Sequence, residues 1–558
     1  MGTEFGITAE QKPELVYTPV AIWWVVFGAV WTAVVLAGII FLIVRRDSPI
    51  LRVRSLTLSL SAIVFLHLYW WSCQFGVMIG PLMPGQVQYW VMGTWLPCGL
   101  ALFHGANSYF LHVAKMQRRY LKYDLVDAAA EKRNKTGLIN KFRSLDFSVR
   151  VVILTVAAMI VQVVLTIIMW ALSRKFHPSF GVPGTEVHGS EMQIKVEQGR
   201  GWEWWPGVFW QFFWSWVIAP FVLWQSRDIH DTQGWRLQTI ACCLAGLHAT
   251  PMWLIALYVP AFEKVNAVFI PPQWICLTIM IMEIFTVLLP CWEVVQHQSL
   301  RKETLEAIEQ WEKRTKGSNS DSKSLGSTAT MVDSVMSGWK SNNDSVISDS
   351  SARESILNMS ALEYVLERNP TPLLRFSALN DFSGENVAFL TSVAEWRSTL
   401  PKAMAEGVNP TEEDKEAIRD AFNRALYIYA EFISTSHAEF PVNISSQDLK
   451  KLETIFEVPA RILYGDQPSN SQDAATPFNN AMPSPTYSEF SESSVAAIKN
   501  RAAFMGDIPT GFNASVFEDA ENSIKYLVLT NTWPKFVKKR RTSTDSMETL
   551  QANNAEFV

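Results

Sequence analysis

Up to about residue 295 the chain repeats one pattern: runs of roughly twenty mainly apolar residues, long enough to cross a hydrocarbon core, separated by polar joints. Lipid offers no partner for backbone N–H and C=O groups, so such runs have to be helices. Seven are placed near 20–44, 55–79, 88–114, 148–172, 206–226, 236–258 and 272–295. Nothing comparable follows in the 558-residue chain. Most of the 23 tryptophans precede residue 300, and most of the Ser, Asp and Glu come after it. The expected fold class is therefore all-α, a seven-helix transmembrane bundle followed by a soluble all-helical bundle.

Charge in the joints orients the first half. The stretches "RRDSPILRVRS" after the first run and "KMQRRYLKYDLVDAAAEKRNKTGLINKFRS" after the third are basic, whereas "GPLMPGQVQ" after the second carries no charge. Residues 1–19 are then an extracellular N-terminus and 20–295 the bundle, with the C-terminal side in the cytosol. The polar start lacks a basic segment leading into a short apolar core, so it does not read as a cleaved leader. All five Asn-x-Ser/Thr sites (Asn134, Asn343, Asn358, Asn443 and Asn513) fall on the expected cytosolic side, where none is glycosylated. All six cysteines lie in or beside apolar runs, and none follows Cys291, as suits a reducing compartment for the second half. A net charge of −5 gives no reason to expect a nucleic-acid partner.

Polar groups inside the runs mark a candidate intramembrane polar site at Glu283, His67, His104 and Asn107. An intramembrane carboxyl is costly and faces the bundle interior or a cavity, either as a ligand or ion contact or as a hydrogen-bonded structural group. The histidines are scattered rather than spaced as metal ligands, and Pro220, Pro251 and Pro290 are expected to kink their helices. The layout is similar to that of a G-protein-coupled receptor, though "MQRRYLK" and "LLPCW" match that class only loosely.

Residues 296–316 read as a post-membrane amphipathic helix with Leu300, Leu305, Ile308 and Trp311 as its stripe. The stretch 317–352 holds about a dozen serines and too few apolar residues for a core, which makes it a flexible linker. From 353 amphipathic helices return. In "SGENVAFLTSVAEWRSTL" Val387, Leu390, Val393 and Leu400 form an apolar face, Ser383 stands as N-cap and Glu385 sits in the first turn. In "TEEDKEAIRDAFNRALYIYAEFIST" Ile418, Phe422, Leu426, Tyr429 and Phe432 recur at helical spacing. No Walker loop, metal-spaced His/Cys cluster or nucleophile elbow occurs, so no cofactor, no metal and no catalytic residue of the chain's own is expected.

The succession "FSGENVAFL", "YAEFI", "VNIS" and "FEDAENSIKYLVLTNTWPKF" resembles the regulator of G-protein signalling (RGS) domain. That family's pattern has Ser-x-Glu-Asn ahead of an aromatic-bearing helix, then Y-x-x-F-I, a V-N turn and a final F-D-x-A-Q…Y-P-R-F helix. The resemblance covers about 353–540, with a long insertion at about 457–515 and a tail at 541–558. With the apolar runs ahead of it, the whole chain looks like the hybrid seven-transmembrane RGS proteins of fungi, which have a plant counterpart of the same layout.

The resemblance implies a GTPase-activating regulator that is not itself an enzyme. Its partners are a G-protein α subunit in its GTP or transition state, membrane lipid, and an extracellular small-molecule ligand of the bundle. Such domains insert no arginine finger but rigidify the switch segments of the α subunit, so that its own Gln and Arg are positioned. Carried over by matching position, the α-subunit contacts are Ser383, Glu385, Asn386, Asn443, Leu527, Asn531, Thr532 and Lys535. Three positions depart from the pattern: Pro441 stands where an acid is common, Asn531 replaces an Asp, and Lys535 replaces an Arg and its planar fork. The alternative is a seven-transmembrane receptor or transporter whose RGS-like tail only docks. The expected location is an integral, multi-pass protein of the plasma membrane with the RGS-like part in the cytosol.

Overall fold

The computed structural model describes residues 12–52, 54–121, 142, 145, 147–177, 179–317, 356–402, 404, 412–464 and 503–540. The linker 318–352, much of the basic third joint, the insertion from 465 to 502 and the tail 541–558 lie outside the described residues. Among the described residues every regular element is a helix, and the single β contact is an isolated bridge between Ser173 and Val182. The chain divides into two compact units, Met1–Gln298 and Ser299–Val558.

In the first unit α1 is Pro19–Val44, α2 Leu56–Gln74, α3 Leu96–Gln117 and α4 Phe147–Leu172. Next, α5 comprises Trp205–Phe212 and Ala219–Ser226, α6 is Trp235–Tyr258, and α7 comprises Pro272–Glu283 and Leu289–Gly317, whose residues from Ser299 on are assigned to the second unit. Each helix packs on its neighbour in sequence, and α7 returns to touch α1 and α2. Among the described residues six helices are long and apolar enough to cross a membrane: α1, α2, α4, α5, α6 and α7. Large side chains on their outer faces stay open, including Trp23, Val30 and Ile40 on α1 and Leu154 and Ile160 on α4. Water does not tolerate an apolar surface of that extent, but lipid does. The protein is therefore a multi-pass membrane protein.

The third run departs from the other six. It is helical, with α3 preceded by the short helix Gly85–Trp90 and a π turn at Val91–Trp95, but it is not apolar enough to join them. The reason is its position, since α3 contacts α2, α4 and α5 and most of its residues are buried against protein. A helix walled in by other helices can keep His104, Asn107 and Ser108 without exposing them to lipid. At Gly105 a Cβ would stand 2.6 Å from the Thr155 hydroxyl, so glycine is what permits the close approach of α4.

Proline shapes these helices through π turns. The turns at Val91–Trp95, Phe213–Ile218 and Ile284–Leu288 each end two residues before a proline, namely Pro97, Pro220 and Pro290. A proline ring collides with the carbonyl four residues back and supplies no N–H; widening the preceding turn relieves both defects. Pro251 sits inside α6 without such a turn. The separate post-membrane helix expected at 296–316 does not start afresh, because α7 runs unbroken from Leu289 to Gly317.

The second unit contains α8 (Met359–Arg368), α9 (Thr371–Phe376), α10 (Gly384–Ser398), α11 (Glu412–Ile428), α12 (Ser446–Tyr464) and α13 (Glu518–Leu527). Its core is aromatic: Phe456 stacks between Phe422 and Phe517, while Phe389 meets Phe432 and Phe517 edge-on. All five rings are fully buried, and burying each contributes about 1.5–3 kcal/mol. The apolar faces read from sequence on α10 and α11 point inward, with Val387, Leu390, Val393, Phe422 and Leu426 buried and Leu400 and Ile418 half-buried.

Candidate functional site

The two ends of the second unit's motif pattern meet at one carboxylate. Asp381 is 4 % exposed, and its Oδ1 pairs with Lys535 Nζ at 2.7 Å. Its Oδ2 accepts from the Thr532 hydroxyl at 2.9 Å and from the Ser383 hydroxyl at 3.0 Å, and those two hydroxyls lie 3.2 Å apart. Burial works against the charged form, but Lys535 and the two hydroxyl donors outweigh it and hold the Asp381 carboxyl below the usual carboxylate range. One buried anion thus ties the loop ahead of α10 to the segment after α13.

Backbone geometry reinforces the junction. Phe382 adopts the left-handed conformation, with φ 51°, although it is not glycine, and its side chain is buried. Such a residue persists only where its surroundings over-determine it, and it turns the chain sharply between Asp381 and Ser383. The Ser383 N–H then donates to the Ser377 carbonyl at 2.9 Å. Ser383 occupies the N-cap position of α10 as expected, yet its hydroxyl caps no backbone group and serves Asp381 instead.

The remaining sequence-derived contact residues divide by exposure. Glu385 is half-buried, and its Oε1 accepts from Asn386 Nδ2 at 3.1 Å. Asn386 and Asn531 are buried, each with a side-chain oxygen that has no hydrogen-bond partner. Thr532 is buried, while Leu527 and Lys535 are half-buried. Asn443 is exposed, on the loop that leads into α12. The preceding Val442 donates its N–H to the Phe432 carbonyl at 2.8 Å, and Phe432 packs on Phe389 of α10. Asn443 is therefore anchored through the core to the helix that carries Glu385 and Asn386.

Three π turns occur among the described residues of this unit, at Ser377–Asp381, Tyr429–Ile433 and Val528–Thr532. Each abuts or overlaps one of the motif segments singled out from sequence, and π turns concentrate at functional sites. The middle one is "YAEFI" itself, where the Tyr429 hydroxyl donates to Glu457 Oε2 at 2.7 Å. Burial and the Glu457 carboxylate both push the Tyr429 phenol upward.

In the membrane unit the candidate polar residues separate into two places. Glu283 is fully buried at the end of the first segment of α7, directly before a π turn. Its Oε1 lies 2.7 Å from His67 Nδ1, its Oε2 accepts from the Trp31 indole at 2.5 Å, and His67 Nε2 lies 3.0 Å from the Thr32 hydroxyl. His104 and Asn107 stand apart on α3, both buried; His104 stacks on Trp214 with ring centroids 5.3 Å apart. No group of three or more His, Cys, Asp or Glu side chains suited to a metal occurs among the described residues.

Sequence reasoning passed over Asp381, Trp31, Thr32 and Arg54. Asp381 had a readable signal, since it opens the "DFSGEN" turn while Lys535 is the one cation of "TNTWPKF". Arg54 is buried ahead of α2, pairs with Glu293 at 2.8 Å and donates to Gln238 Oε1 at 3.0 Å. No feature of its basic joint distinguished it from the neighbouring arginines. No protein-family model, curated protein or solved structure matches this chain.

Proposed function

We propose that this protein is a membrane-tethered regulator of heterotrimeric G-protein signalling, whose second unit is an RGS-like domain that accelerates GTP hydrolysis by a G-protein α subunit. The observation that carries the reading is the Asp381 junction. The resemblance needs the Ser-Gly-Glu-Asn turn and the "TNTWPKF" segment to form one surface, and the one carboxylate of Asp381 bonds Ser383, Thr532 and Lys535. The π turns at the motif segments and the core path from Asn443 to α10 favour the same reading.

On this reading the domain acts by shape rather than by donating a catalytic group. Glu385 and Asn443, held on a rigid aromatic core, bind the mobile switch segments of the α subunit in their transition-state arrangement. Ordering them beforehand lowers the barrier for the α subunit's own residues. The membrane unit, read as seven spanning helices with the N-terminus outside, keeps the domain at the plasma-membrane surface where G proteins work. The test is single-turnover GTP hydrolysis by purified α subunits, with and without the full-length protein; absence of acceleration rejects the reading.

A second reading is favoured by the Glu283–His67 contact, because a buried carboxylate and imidazole in one membrane unit suit ion-coupled transport. Solute uptake that is lost in Glu283→Gln, together with unchanged GTP hydrolysis, would select it.

A further inference from the structure

The second unit is acidic, yet its last helix is not. Residues 353–540 hold 18 Lys and Arg against 25 Asp and Glu, a net charge of −7. Residues 531–540 carry four cations and no acid, and the run "KFVKKRR" has five cations in seven positions. After the π turn at Val528–Thr532 the chain continues as a helix over 533–540. That helix is amphipathic, with Trp533, Phe536 and Val537 buried and Lys538 and Lys539 exposed. The Trp533 indole donates to the Ile356 carbonyl at 2.9 Å and fixes the helix to the core. Lys539 Nζ stands 5.5 Å over the Phe376 ring, Arg540 lies 5.5 Å over the Phe536 ring, and the two rings meet edge to face. Arg375, exposed beside Phe376, is the one charged residue of α9. Four cations are thus gathered at one corner, one helical turn beyond the Lys535 that serves Asp381.

We infer that this corner, formed by Arg375, Lys538, Lys539 and Arg540, docks the second unit on the anionic lipid headgroups of the membrane's cytosolic face. The chain itself keeps that partner at hand. It is a multi-pass membrane protein, and 38 residues separate Gly317 at the end of α7 from Ile356, a stretch that reaches about 130 Å at full extension. A lipid surface is therefore always within range, whereas an acidic protein or a nucleic acid has to be recruited from solution. The charge distribution also suits a flat anionic sheet. Charges are screened beyond about 8 Å, so lipid meets the positive corner without repelling the acidic remainder of the unit. Headgroup phosphates impose no register, and cations on long stems laid over aromatic rings engage them without a groove. Partial burial lowers the Lys539 ammonium from its ordinary value, and a phosphate alongside reverses that loss. The inference rests on the cytosolic placement proposed above, but not on the α-subunit contact.

The test uses the full-length protein in nanodiscs of pure phosphatidylcholine or of equimolar phosphatidylcholine and phosphatidylserine. A donor dye on Thr371→Cys, an exposed position of α9, reports energy transfer to a rhodamine-labelled lipid; the native cysteines are buried or half-buried. Transfer should be higher in the phosphatidylserine discs at low salt and fall to the phosphatidylcholine level at about 1 M salt, where the screening length is about 3 Å. Each cation near an anionic surface strengthens docking about fivefold. Arg375→Gln should therefore weaken it by about that factor, and the triple variant Arg375→Gln/Lys538→Gln/Lys539→Gln by about a hundredfold. Arg375→Lys/Lys538→Arg/Lys539→Arg keeps the charges and should keep the transfer, which separates lost charge from lost fold. Equal transfer in the two kinds of disc, or transfer that survives the triple Gln variant, overturns the proposal. GTP hydrolysis in pure phosphatidylcholine discs should be the same for wild type and the triple Gln variant. A loss confined to the variant also overturns the proposal, because the corner is then a protein contact. Absence of acceleration by wild type rejects the α-subunit reading alone, and the transfer measurement still decides the lipid one.

Discussion

Replacing Asp381 by alanine tests the junction on which the soluble unit is built. The carboxylate is 4 % exposed and its partner Lys535 16 % exposed, at 2.7 Å. Breaking a buried pair by removing one member costs about 3–5 kcal/mol, and the residual access of Lys535 to water puts the loss near the lower end. The two hydroxyls that donated to Asp381 keep a contact with each other at 3.2 Å, so they add little. A loss of about 3 kcal/mol is expected in urea unfolding of residues 353–540, followed by tryptophan fluorescence at pH 7. Lys535→Met should cost a similar amount, and the double variant Asp381→Ala/Lys535→Met much less than the sum, since it leaves no orphaned charge. The pH dependence has a definite sign. Asp381 has a lower pKa folded than unfolded, so its contribution is complete above the unfolded value of about 3.9 and disappears as pH falls through the folded one. The gap between wild type and Asp381→Ala should therefore hold from pH 7 to pH 5 and close only in stronger acid. A loss below about 1 kcal/mol with additive single changes, or a gap already closing by pH 5, would refute the reasoning.

Substitutions at two further positions address the membrane unit. Gly234 has φ 68°, and a Cβ there would lie 1.9 Å from Glu293 Oε1. Gly234→Ala should destabilise the protein in nanodiscs by about 2–3 kcal/mol through left-handed strain and displacement of Glu293 from Arg54, with a lowered thermal midpoint as readout. Glu283→Ala leaves the Trp31 indole and the His67 ring without their buried acceptor and should cost about 3–5 kcal/mol. Glu283→Gln, which still accepts a hydrogen bond, should cost clearly less, and equal midpoints for the two variants would show that the charge carries the whole effect.

Periodicity made the helices readable in the sequence, because a stripe at helical spacing or a twenty-residue apolar run has few other solutions. Phe422, Phe432, Val387 and Val393 face the core for that reason. The third run was less transparent, since its polarity reflects enclosure by α2, α4 and α5, a tertiary fact with no local signature. The same holds at the site. Ser383 was readable as an N-cap position, but its hydroxyl instead joins Asp381 to Thr532, which lies 149 residues away. Asp381 became the hub only once the segment after α13 was brought beside it. Glu283 stood out by its charge in an apolar run, whereas its partner Trp31, and Thr32 beside His67, looked like ordinary span residues of α1.

The central claim meets its most direct test in single-turnover GTP hydrolysis by G-protein α subunits mixed with the full-length protein in nanodiscs. Asn443 is exposed, so Asn443→Ala should leave stability within about 0.5 kcal/mol of wild type. The account predicts that the wild-type protein accelerates hydrolysis by at least one α subunit by about tenfold or more, and that Asn443→Ala removes most of that acceleration while remaining folded. No acceleration of any α subunit, or equal acceleration by Asn443→Ala and wild type, would contradict it.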